Sequence, residues 1–288
     1  LFWDNYELIF CEGYGAQLSI YNTFRDGGFD IAAFGAALQA GPVGKKFVLL
    51  NFPNNPTGYT VTTSEAKALV SEILKAAQAG NHVVVVLDDA YFGLVYEEGV
   101  IRESLFSSLV DLHPNVLAVK LDGPTKEDYV WGFRVGFVTF GFQGATAAQL
   151  KALENKAAGM VRGNISNAPS ISQAILLKGY TSSEYGKQKE TKFQVLAHRV
   201  HKIRDILAAH PEYGKSFDVM PFNSGYFMCI KPLGVDPESL RRLLIQEFST
   251  GVIVLSGLIR LAFSSVPSTA LETLFANLHQ AIRKLQGA

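Results

Sequence analysis

Residues 120–136 have the sequence Lys120-Leu-Asp-Gly-Pro-Thr-Lys-Glu-Asp-Tyr-Val-Trp-Gly-Phe-Arg-Val-Gly136 and follow the apolar run Val116 to Val119. That run is typical of a buried strand, and the Asp-Gly-Pro after it predicts a turn. A lysine in such a turn, Lys126, can act as an uncharged amine that attacks an aldehyde. Arg134 carries a guanidinium whose geometry matches a phosphate. A surface-turn lysine and a salt-bridged arginine remain an open alternative for this pair alone.

Length and composition limit the classes of protein that need to be considered. The chain has 288 residues, 48% of them hydrophobic, which suffices for one large or two moderate domains. Lys+Arg and Asp+Glu are equal at 26 each, so the composition predicts no nucleic-acid partner. Apolar runs such as Val83 to Leu87 are too short to cross a bilayer, which predicts no membrane partner. Cys11 and Cys229 lack metal or redox spacing, so a reduced, cytoplasmic protein is expected.

Alternating strand and helix patterns occupy the first two thirds of the chain. Strands are predicted at Gln17 to Phe24, Lys46 to Phe52, His82 to Leu87, Val116 to Leu121 and Val135 to Phe140. Helices are predicted at residues 4–13, Asp30 to Ala40, Thr63 to Ala79 with a capping box at Thr63/Ser64, Thr146 to Val161 and Ser170 to Lys178. This alternation predicts an α/β fold with a doubly wound, mostly parallel sheet sandwiched by helices.

The last third of the chain has a different pattern. A long charged helix, Ser182 to His210, is expected to bridge into shorter elements. The predicted strands there are Phe217 to Met220, Gly225 to Ile230, Val252 to Leu255 and Ile259 to Phe263, with helices at Asp236 to Phe248 and Ser268 to Leu285. We therefore predict a large domain over residues 1–181 and a smaller α+β domain over residues 182–288.

Polar residues follow several of the predicted strands. Asn55, Asp88 and Lys126 each come just after a strand end, and ligands bind outside the carboxyl ends of strands in such sheets. Four further short motifs accompany Lys126 and Arg134. They are Trp3-Asp4-Asn5-Tyr6, Asn55-Pro56-Thr57-Gly58, Asp88-Asp89-Ala90-Tyr91 and Ile259-Arg260-Leu261-Ala262-Phe263.

Together, in this order and across nearly the whole chain, these motifs resemble the aspartate aminotransferase superfamily, the class I/II enzymes that use pyridoxal 5'-phosphate (PLP). The resemblance implies the PLP-dependent transferase fold type I and an aminotransferase activity on amino acids and 2-oxo acids. It also implies a homodimer with sites at the subunit boundary and a cytoplasmic place in amino acid metabolism, including biosynthesis.

The resemblance assigns the chemistry to three residues above all. Lys126 would form the imine with the PLP aldehyde and then relay the proton from Cα to C4′, which requires a pKa well below the ordinary ~10.4. Asp88 would keep the pyridine nitrogen protonated so that the ring accepts electrons. Arg260 would bind the substrate α-carboxylate and orient the Cα–H bond. Asp89 is expected either to be a solvated neighbour of Asp88 or to contact Asp88 without touching the cofactor itself.

The remaining cofactor contacts also come from the resemblance. Asn55 and Tyr91 would hydrogen-bond the phenolic oxygen of the ring, and the Trp3 indole would stack on the ring. Arg134 would bind the phosphate bidentately. In the family a serine often precedes the lysine by three residues; Gly123 stands there, and Thr125 is the candidate substitute.

Arg162, four residues before Ser166-Asn167, resembles the arginine that reads the side-chain carboxylate of dicarboxylic substrates in the partner subunit's site. This favours aspartate- or glutamate-like substrates. The alternative is an arginine that interacts with the dipole at the C-terminal end of a helix.

Two further departures from the family concern length. The family's lead-in of roughly a hundred residues, with a glycine-rich phosphate loop, does not precede Trp3, so we expect a fragment whose phosphate contact depends on Arg134. Residues are also expected to be absent between Ser256 and Ile259, where the family has a longer loop. The alternatives left open are a PLP-dependent β-lyase or decarboxylase, and a non-catalytic sensing domain of a transcription regulator.

Overall fold

The N-terminal segment packs against the central sheet. The structure is a computed structural model and describes residues 1–287. A π-helix, Glu7–Glu12, lies within the predicted helix at residues 4–13, and a short hairpin joins β1 (Phe24–Arg25) to β2 (Gly28–Phe29). The strand predicted at Gln17 to Phe24 is wrong: only Phe24 is in a strand, and Leu18 and Ile20 face solvent without a neighbouring strand.

A four-stranded sheet organises the first part of the chain, in the order β3 (Lys45–Asn51), β4 (His82–Asp88), β5 (Val116–Asp122) and β6 (Phe137–Gly141). β3, β4 and β5 are parallel, and β6 runs antiparallel to β5. The β-branched run of β4 is mostly buried, as expected for a parallel strand. β6 begins at Phe137 instead of Val135 because Arg134 adopts the left-handed conformation, with φ of 55°.

Helices connect the strands of this sheet, and further helices lead from its last strand to a second sheet. In chain order they are α1 (Ile31–Gln39), α2 (Thr63–Gln78), the single turns α3 (Phe106–Leu109) and α4 (Pro124–Glu127), α5 (Ala147–Asn164), α6 (Ser170–Tyr180) and α7 (Tyr185–Ala209). The predicted caps Asp30 and Thr146 are confirmed. The capping box of α2 is one residue earlier than predicted, because Thr62 and Glu65 have the reciprocal spacing that the box requires.

A second four-stranded sheet, wholly antiparallel, follows α7. Its order is β7 (Phe217–Val219), β8 (Met228–Pro232), β10 (Leu258–Leu261) and β9 (Ile253–Leu255), with α8 (Pro237–Phe248) and α9 (Leu271–Leu285) packed on it. β8 starts at Met228 instead of Gly225. α9 starts at Leu271 because residues 268–270 form a 3₁₀ turn. The division into domains at residue 181 stays a prediction.

The junction of β9 and β10 is a two-residue turn. Ser256 and Gly257 both have positive φ, as a tight hairpin requires, and Leu258 pairs with Leu255. The chain therefore passes from one strand to the next without a longer loop between Ser256 and Ile259.

A set of hydrogen bonds, here called the polar clasp, joins the loop after β3 to the segment before β8. The carbonyl of Gly58 accepts from the backbone N–H groups of Asn223 and Ser224, and the Asn223 side chain bonds both backbone groups of Thr60. Gly58 has φ of 72°, and a Cβ there would lie 1.9 Å from the carbonyl oxygen of Phe227, so only glycine fits. The polar clasp fixes the two sheets against each other at the edge described next.

Candidate active site

The carboxyl ends of β3, β4 and β5 meet at one edge of the first sheet, and three predicted residues lie there. Asn55 is in the loop after β3, Asp88 ends β4, and Lys126 is in α4, directly after β5. Tyr91 lies between them: the Lys126 Nζ is 4.9 Å from the centroid of its ring. The sheet topology thus brings together side chains that are far apart in the sequence.

The Lys126 amine is half-buried and makes no hydrogen bond or ion pair within residues 1–287. Burial lowers the pKa of Lys126, the Asp88 carboxylate opposes that change, and the Arg134 guanidinium lowers the pKa further. The amine therefore loses its proton more readily than an exposed lysine, as a nucleophile or base requires.

Asp88 is held by a residue that the site prediction did not include. The buried Tyr6 hydroxyl donates to Asp88 Oδ2, while Asp88 Oδ1 accepts from the N–H of Ala90 at 3.1 Å. Burial, and next the Asp88 charge, raise the pKa of Tyr6, so the phenol stays a neutral donor. The exposed Trp3 ring packs edge-on against Tyr6 at 5.6 Å. Tyr6 is the last residue of the Trp3 motif, which is the signal that could have identified it.

Arg260 reaches the same edge from β10. Its Nη1 donates to Asn55 Oδ1 at 3.0 Å, and its guanidinium lies 4.4 Å from the ring centroid of Phe227. The Arg260 Nε is buried without a partner within residues 1–287. An unpaired buried donor on a guanidinium is costly unless an acceptor binds there. Burial raises the pKa of Tyr91, with Arg260 opposing, so Tyr91 is a neutral phenol. Phe227 was not predicted from the sequence.

The loop after Lys126 carries the predicted phosphate contact. Arg134 is exposed, and its Nη1 donates to the Trp131 carbonyl at 3.0 Å, which leaves donors of the guanidinium facing solvent. The Thr125 hydroxyl donates to the Val135 carbonyl at 3.4 Å. A Cβ at Gly123 would lie 2.7 Å from that same carbonyl oxygen, so a serine does not fit at Gly123 as the backbone stands.

Arg162 lies apart from this cluster, near the end of α5. The side chain is exposed, and its Nη1 donates to the Ser166 hydroxyl at 2.8 Å. Within residues 1–287 no hydrogen bond or ion pair links it to the residues around Tyr91. The structure thus leaves the role predicted for Arg162 untested.

Asp89 is not solvated, contrary to one of the two expectations for it. It is 5% exposed, its Oδ2 has no partner within residues 1–287, and it borders a cavity of about 20 Å³. Burial raises the pKa of Asp89 to about 6, although the nearby Ser104 hydroxyl and Lys120 ammonium lower it. Because successive residues of an extended chain point to opposite faces, Asp88 faces the candidate site and Asp89 faces away from it.

The donor set suits PLP. The aldehyde of that cofactor needs an amine, its ring nitrogen a carboxylate and its phosphate a cation, and Lys126, Asp88 and Arg134 supply these groups near one another. The Arg260 Nε adds a free donor for an anionic ligand. The residues present therefore fit this cofactor.

The fold and the cluster define an α/β protein that has, at one sheet edge, a lysine of lowered pKa, a hydrogen-bonded carboxylate and an arginine with an unpaired buried Nε. Comparison with known proteins gives the family: residues 1–278 match the model for aminotransferase class I and II, and the chain belongs to that family. Members of this family use PLP.

Individual relatives agree with this family. The chain is 27% identical over 191 residues to an aspartate aminotransferase of Geobacillus stearothermophilus, with 66% of the chain and 40% of the relative covered. It is 26% identical over 255 residues to a probable aspartate/prephenate aminotransferase of Rhizobium leguminosarum bv. phaseoli, with 84% of the chain and 57% of the relative covered. The chain thus spans about half the length of these curated relatives.

A solved structure agrees with the fold. An aminotransferase from Anaerococcus prevotii superposes with a TM-score of 0.80 at 23% identity, covering 97% of this chain and 67% of that one. This confirms the predicted PLP-dependent transferase fold type I. Over residues 1–287, no helix is both long and apolar enough to cross a membrane. No group of three or more His, Cys, Asp or Glu side chains in that range could hold a metal ion.

Proposed function

We propose that the chain carries the PLP site of an aminotransferase, which transfers an amino group between an amino acid and a 2-oxo acid. The observation that carries this proposal is the convergence of Lys126, Asp88 and Arg260 around Tyr91. Lys126 Nζ is 4.9 Å from the ring of Tyr91, and the charges of Asp88 and Arg260 both act on its hydroxyl.

Each of these three residues has a distinct task at a stated atom. When bound, PLP supplies an electron-accepting ring that stabilises negative charge at the substrate Cα. Asp88, held by Tyr6, would keep a proton on the ring nitrogen. Lys126 Nζ would take the proton from the substrate Cα and return it at C4′, a role that its lowered pKa favours. Arg260 binds the α-carboxylate with the donor that is left unpaired, and so orients the Cα–H bond.

The other predicted residues orient and bind. Asn55 and Tyr91 would hydrogen-bond the phenolic oxygen of the ring, and Trp3, packed on Tyr6, would cover one ring face. Arg134 would bind the phosphate through its solvent-facing donors. The Thr125 hydroxyl donates a weak hydrogen bond to the Val135 carbonyl, and it would contact the cofactor only if it gave up that bond.

We further propose dicarboxylic substrates and a homodimer. Support comes from the names of the two curated relatives, aspartate aminotransferase and probable aspartate/prephenate aminotransferase. Arg162 is exposed on α5, a helix without buried residues, and could therefore reach the site of a partner subunit. A cytoplasmic location and a biosynthetic role are proposed from the sequence alone.

The test of the site is cofactor capture. PLP added to the chain should give a visible absorption band, and borohydride reduction should leave a pyridoxyl group on the peptide that contains Lys126. Lys126→Ala should abolish both signals, whereas Lys178→Ala, at an exposed lysine, should change neither. Labelling that persists in Lys126→Ala would reject the assignment. An amino acid that converts the band to the pyridoxamine form supports transamination, and release of ammonia and pyruvate would reject it.

The substrate proposal has its own test. Arg162→Ala should lower kcat/KM for aspartate and glutamate by about 100-fold, because it removes a charged hydrogen bond to the second carboxylate. The same variant should leave kcat/KM for alanine nearly unchanged. Equal losses for acidic and neutral amino acids would remove the dicarboxylate proposal.

A further inference from the structure

The carboxylate of Asp128, two residues after Lys126, has three partners from a different part of the chain. The side chain is 8% exposed. Its Oδ2 accepts from the Tyr180 hydroxyl at 2.7 Å and its Oδ1 from the Tyr185 hydroxyl at 2.6 Å. The Lys189 Nζ lies 3.2 Å from Oδ1. Tyr180 is the last residue of α6, and Tyr185 and Lys189 are in the first turns of α7.

These partners are well suited to hold a charge that is largely removed from water. Such partners are needed because a charge removed from water is unfavourable unless hydrogen bonds or an opposite charge compensate it. The pKa of Tyr180 and of Tyr185 is raised by burial and then by the bond to Asp128, so both phenols remain donors. Both hydroxyls therefore keep the protons that they donate to Asp128 to a higher pH than an ordinary tyrosine would.

Asp128 is also part of the backbone that carries the lysine. Its N–H donates to the Pro124 carbonyl at 2.9 Å and closes the single turn of α4. A helix of one turn has almost no stability of its own, so outside contacts must fix its orientation. On the other side, the Tyr226 hydroxyl donates to the Lys126 carbonyl at 2.7 Å. The Lys126 turn is thus held from α6 and α7 through Asp128 and from the segment before β8 through Tyr226.

Glu127, the residue between Lys126 and Asp128, also contacts α7. The contacts of Glu127 and Asp128 with Tyr180, Tyr185 and Lys189 are here called the anchor. Glu127 Oε1 accepts from Lys189 Nζ at 2.6 Å, so one ammonium holds the carboxylates of two adjacent residues. The pKa of Lys189 is raised because the bonds to Glu127 and Asp128 outweigh its burial, and the residue therefore stays charged. The pKa of Lys126 is lowered by burial and is shifted further by Asp88 and Arg134, neither of which belongs to this anchor.

We propose that Asp128, held by Tyr180 and Tyr185, is a positioning residue that fixes the α4 turn so that the Lys126 amine points at the ligand. The inference rests on the proposed function of Lys126 as the amine that captures PLP. It adds that the connection between α6 and α7, where Tyr180 and Tyr185 lie, sets the position of that amine. A displacement of about 1 Å at a reacting group can cost up to 100-fold in rate, so the anchor need move only slightly to matter.

The experiment measures how fast Lys126 captures PLP, which requires no turnover. The 288-residue chain and its variants are mixed with PLP, quenched with borohydride at timed intervals, and the labelled Lys126 peptide is quantified by mass spectrometry. Asp128→Asn keeps the shape but removes the charge, and Tyr185→Phe removes one donor. Glu154→Gln, which breaks the exposed Lys151–Glu154 pair on α5, is the matched control. Thermal unfolding of each variant is followed by circular dichroism.

We expect Asp128→Asn to slow capture by about tenfold and Tyr185→Phe by about threefold, with the control unchanged. The double variant should be no slower than Asp128→Asn, because both changes break the same anchor. The midpoint of the pH dependence of capture should stay that of the unmodified chain, because the effect is on geometry and not on the Lys126 proton.

Four outcomes would overturn the inference. If Asp128→Asn unfolds at a lower temperature yet captures PLP at the original rate, the anchor only joins the helices. Additive losses in the double variant would show that the two residues act independently. If the unmodified chain captures no PLP at Lys126, the proposed function fails and this inference fails with it. Should Asp128→Asn not fold, Tyr180→Phe removes one exposed hydrogen bond and leaves the charge, and unaltered capture by that variant would equally refute the proposal.

Discussion

Replacing Asp89 by asparagine should stabilise the protein in a pH-dependent way. Asp89 is buried, one of its oxygens has no partner within residues 1–287, and its pKa is raised to about 6 from an ordinary value of 3.8. Asparagine has the same shape and can still accept a hydrogen bond from the Ser104 hydroxyl, but it never ionises. The substitution therefore removes the cost of burying a charge and little else.

The magnitude and the sign of this change in the free energy of unfolding follow from proton linkage. Because the folded pKa is raised, the folded protein keeps a proton that the unfolded chain has lost, and stability falls as the pH rises from about 3.8 through about 6. Each pKa unit corresponds to about 1.4 kcal/mol, so the fully ionised carboxyl costs about 3 kcal/mol above pH 7. About half of that cost is present at pH 5. Asp89→Asn should thus gain about 3 kcal/mol at pH 7.5 and about half as much at pH 5.

Urea unfolding at pH 5 and pH 7.5, followed by tryptophan fluorescence, measures both gains. The control is Asp111→Asn, at an exposed carboxylate, for which the free energy of unfolding should change little at either pH. An equal gain for Asp89→Asn at the two pH values would refute the argument, because the gain would then not come from ionisation. A loss of stability at pH 7.5 would show that the charged carboxylate has a partner that holds it.

Three further predictions concern the residues around the lysine. Gly123→Ser should destabilise the protein by about 2 kcal/mol in urea unfolding, because its Cβ would meet the neighbouring backbone, whereas Gly132→Ser, with open space around it, should cost much less. Tyr6→Phe should leave Asp88 without its hydroxyl donor and lower kcat about tenfold with little change in KM; an unchanged kcat would contradict this. Arg260→Gln should lower kcat/KM for every amino acid about 100-fold in steady-state assays, since the α-carboxylate is common to all, and a loss confined to acidic substrates would count against that role.

The parallel part of the fold could be predicted from the sequence because its signals are local. The valine run of β4 is buried from both sides, and a short run of this kind has few other structures available. Asp30 and Thr146 cap helices because each side chain accepts a hydrogen bond from the backbone N–H three residues later, so this signal is also local. The gathering of Asn55, Asp88 and Lys126 followed from one rule, that parallel strands end at the same edge.

Features that depend on distant partners could not be predicted. The alternation of Gln17 to Phe24 suits a strand, but the fold offers it no neighbour with which to pair. Tyr6 bonds a carboxylate 82 positions away, and the ring of Phe227 lies beneath a guanidinium from another strand. The burial of Asp89 depends on residues from other segments, such as Leu50 and Thr60, that line the same cavity. Of these contacts only that of Tyr6 has a local signal, the Trp3 motif that Tyr6 ends; the others have none in the residues next to them.

The polar clasp also sets the order in which the molecule can assemble. It joins residues 163 positions apart, and the Asn55–Arg260 bond spans 205 positions. Closing a chain segment of that length costs more than closing the turns within either sheet, so these bonds form after the local structure. A growing polypeptide on the ribosome consequently has the amine of Lys126 long before it has the guanidinium of Arg260, and the full set of proposed site residues exists only after synthesis has passed residue 260.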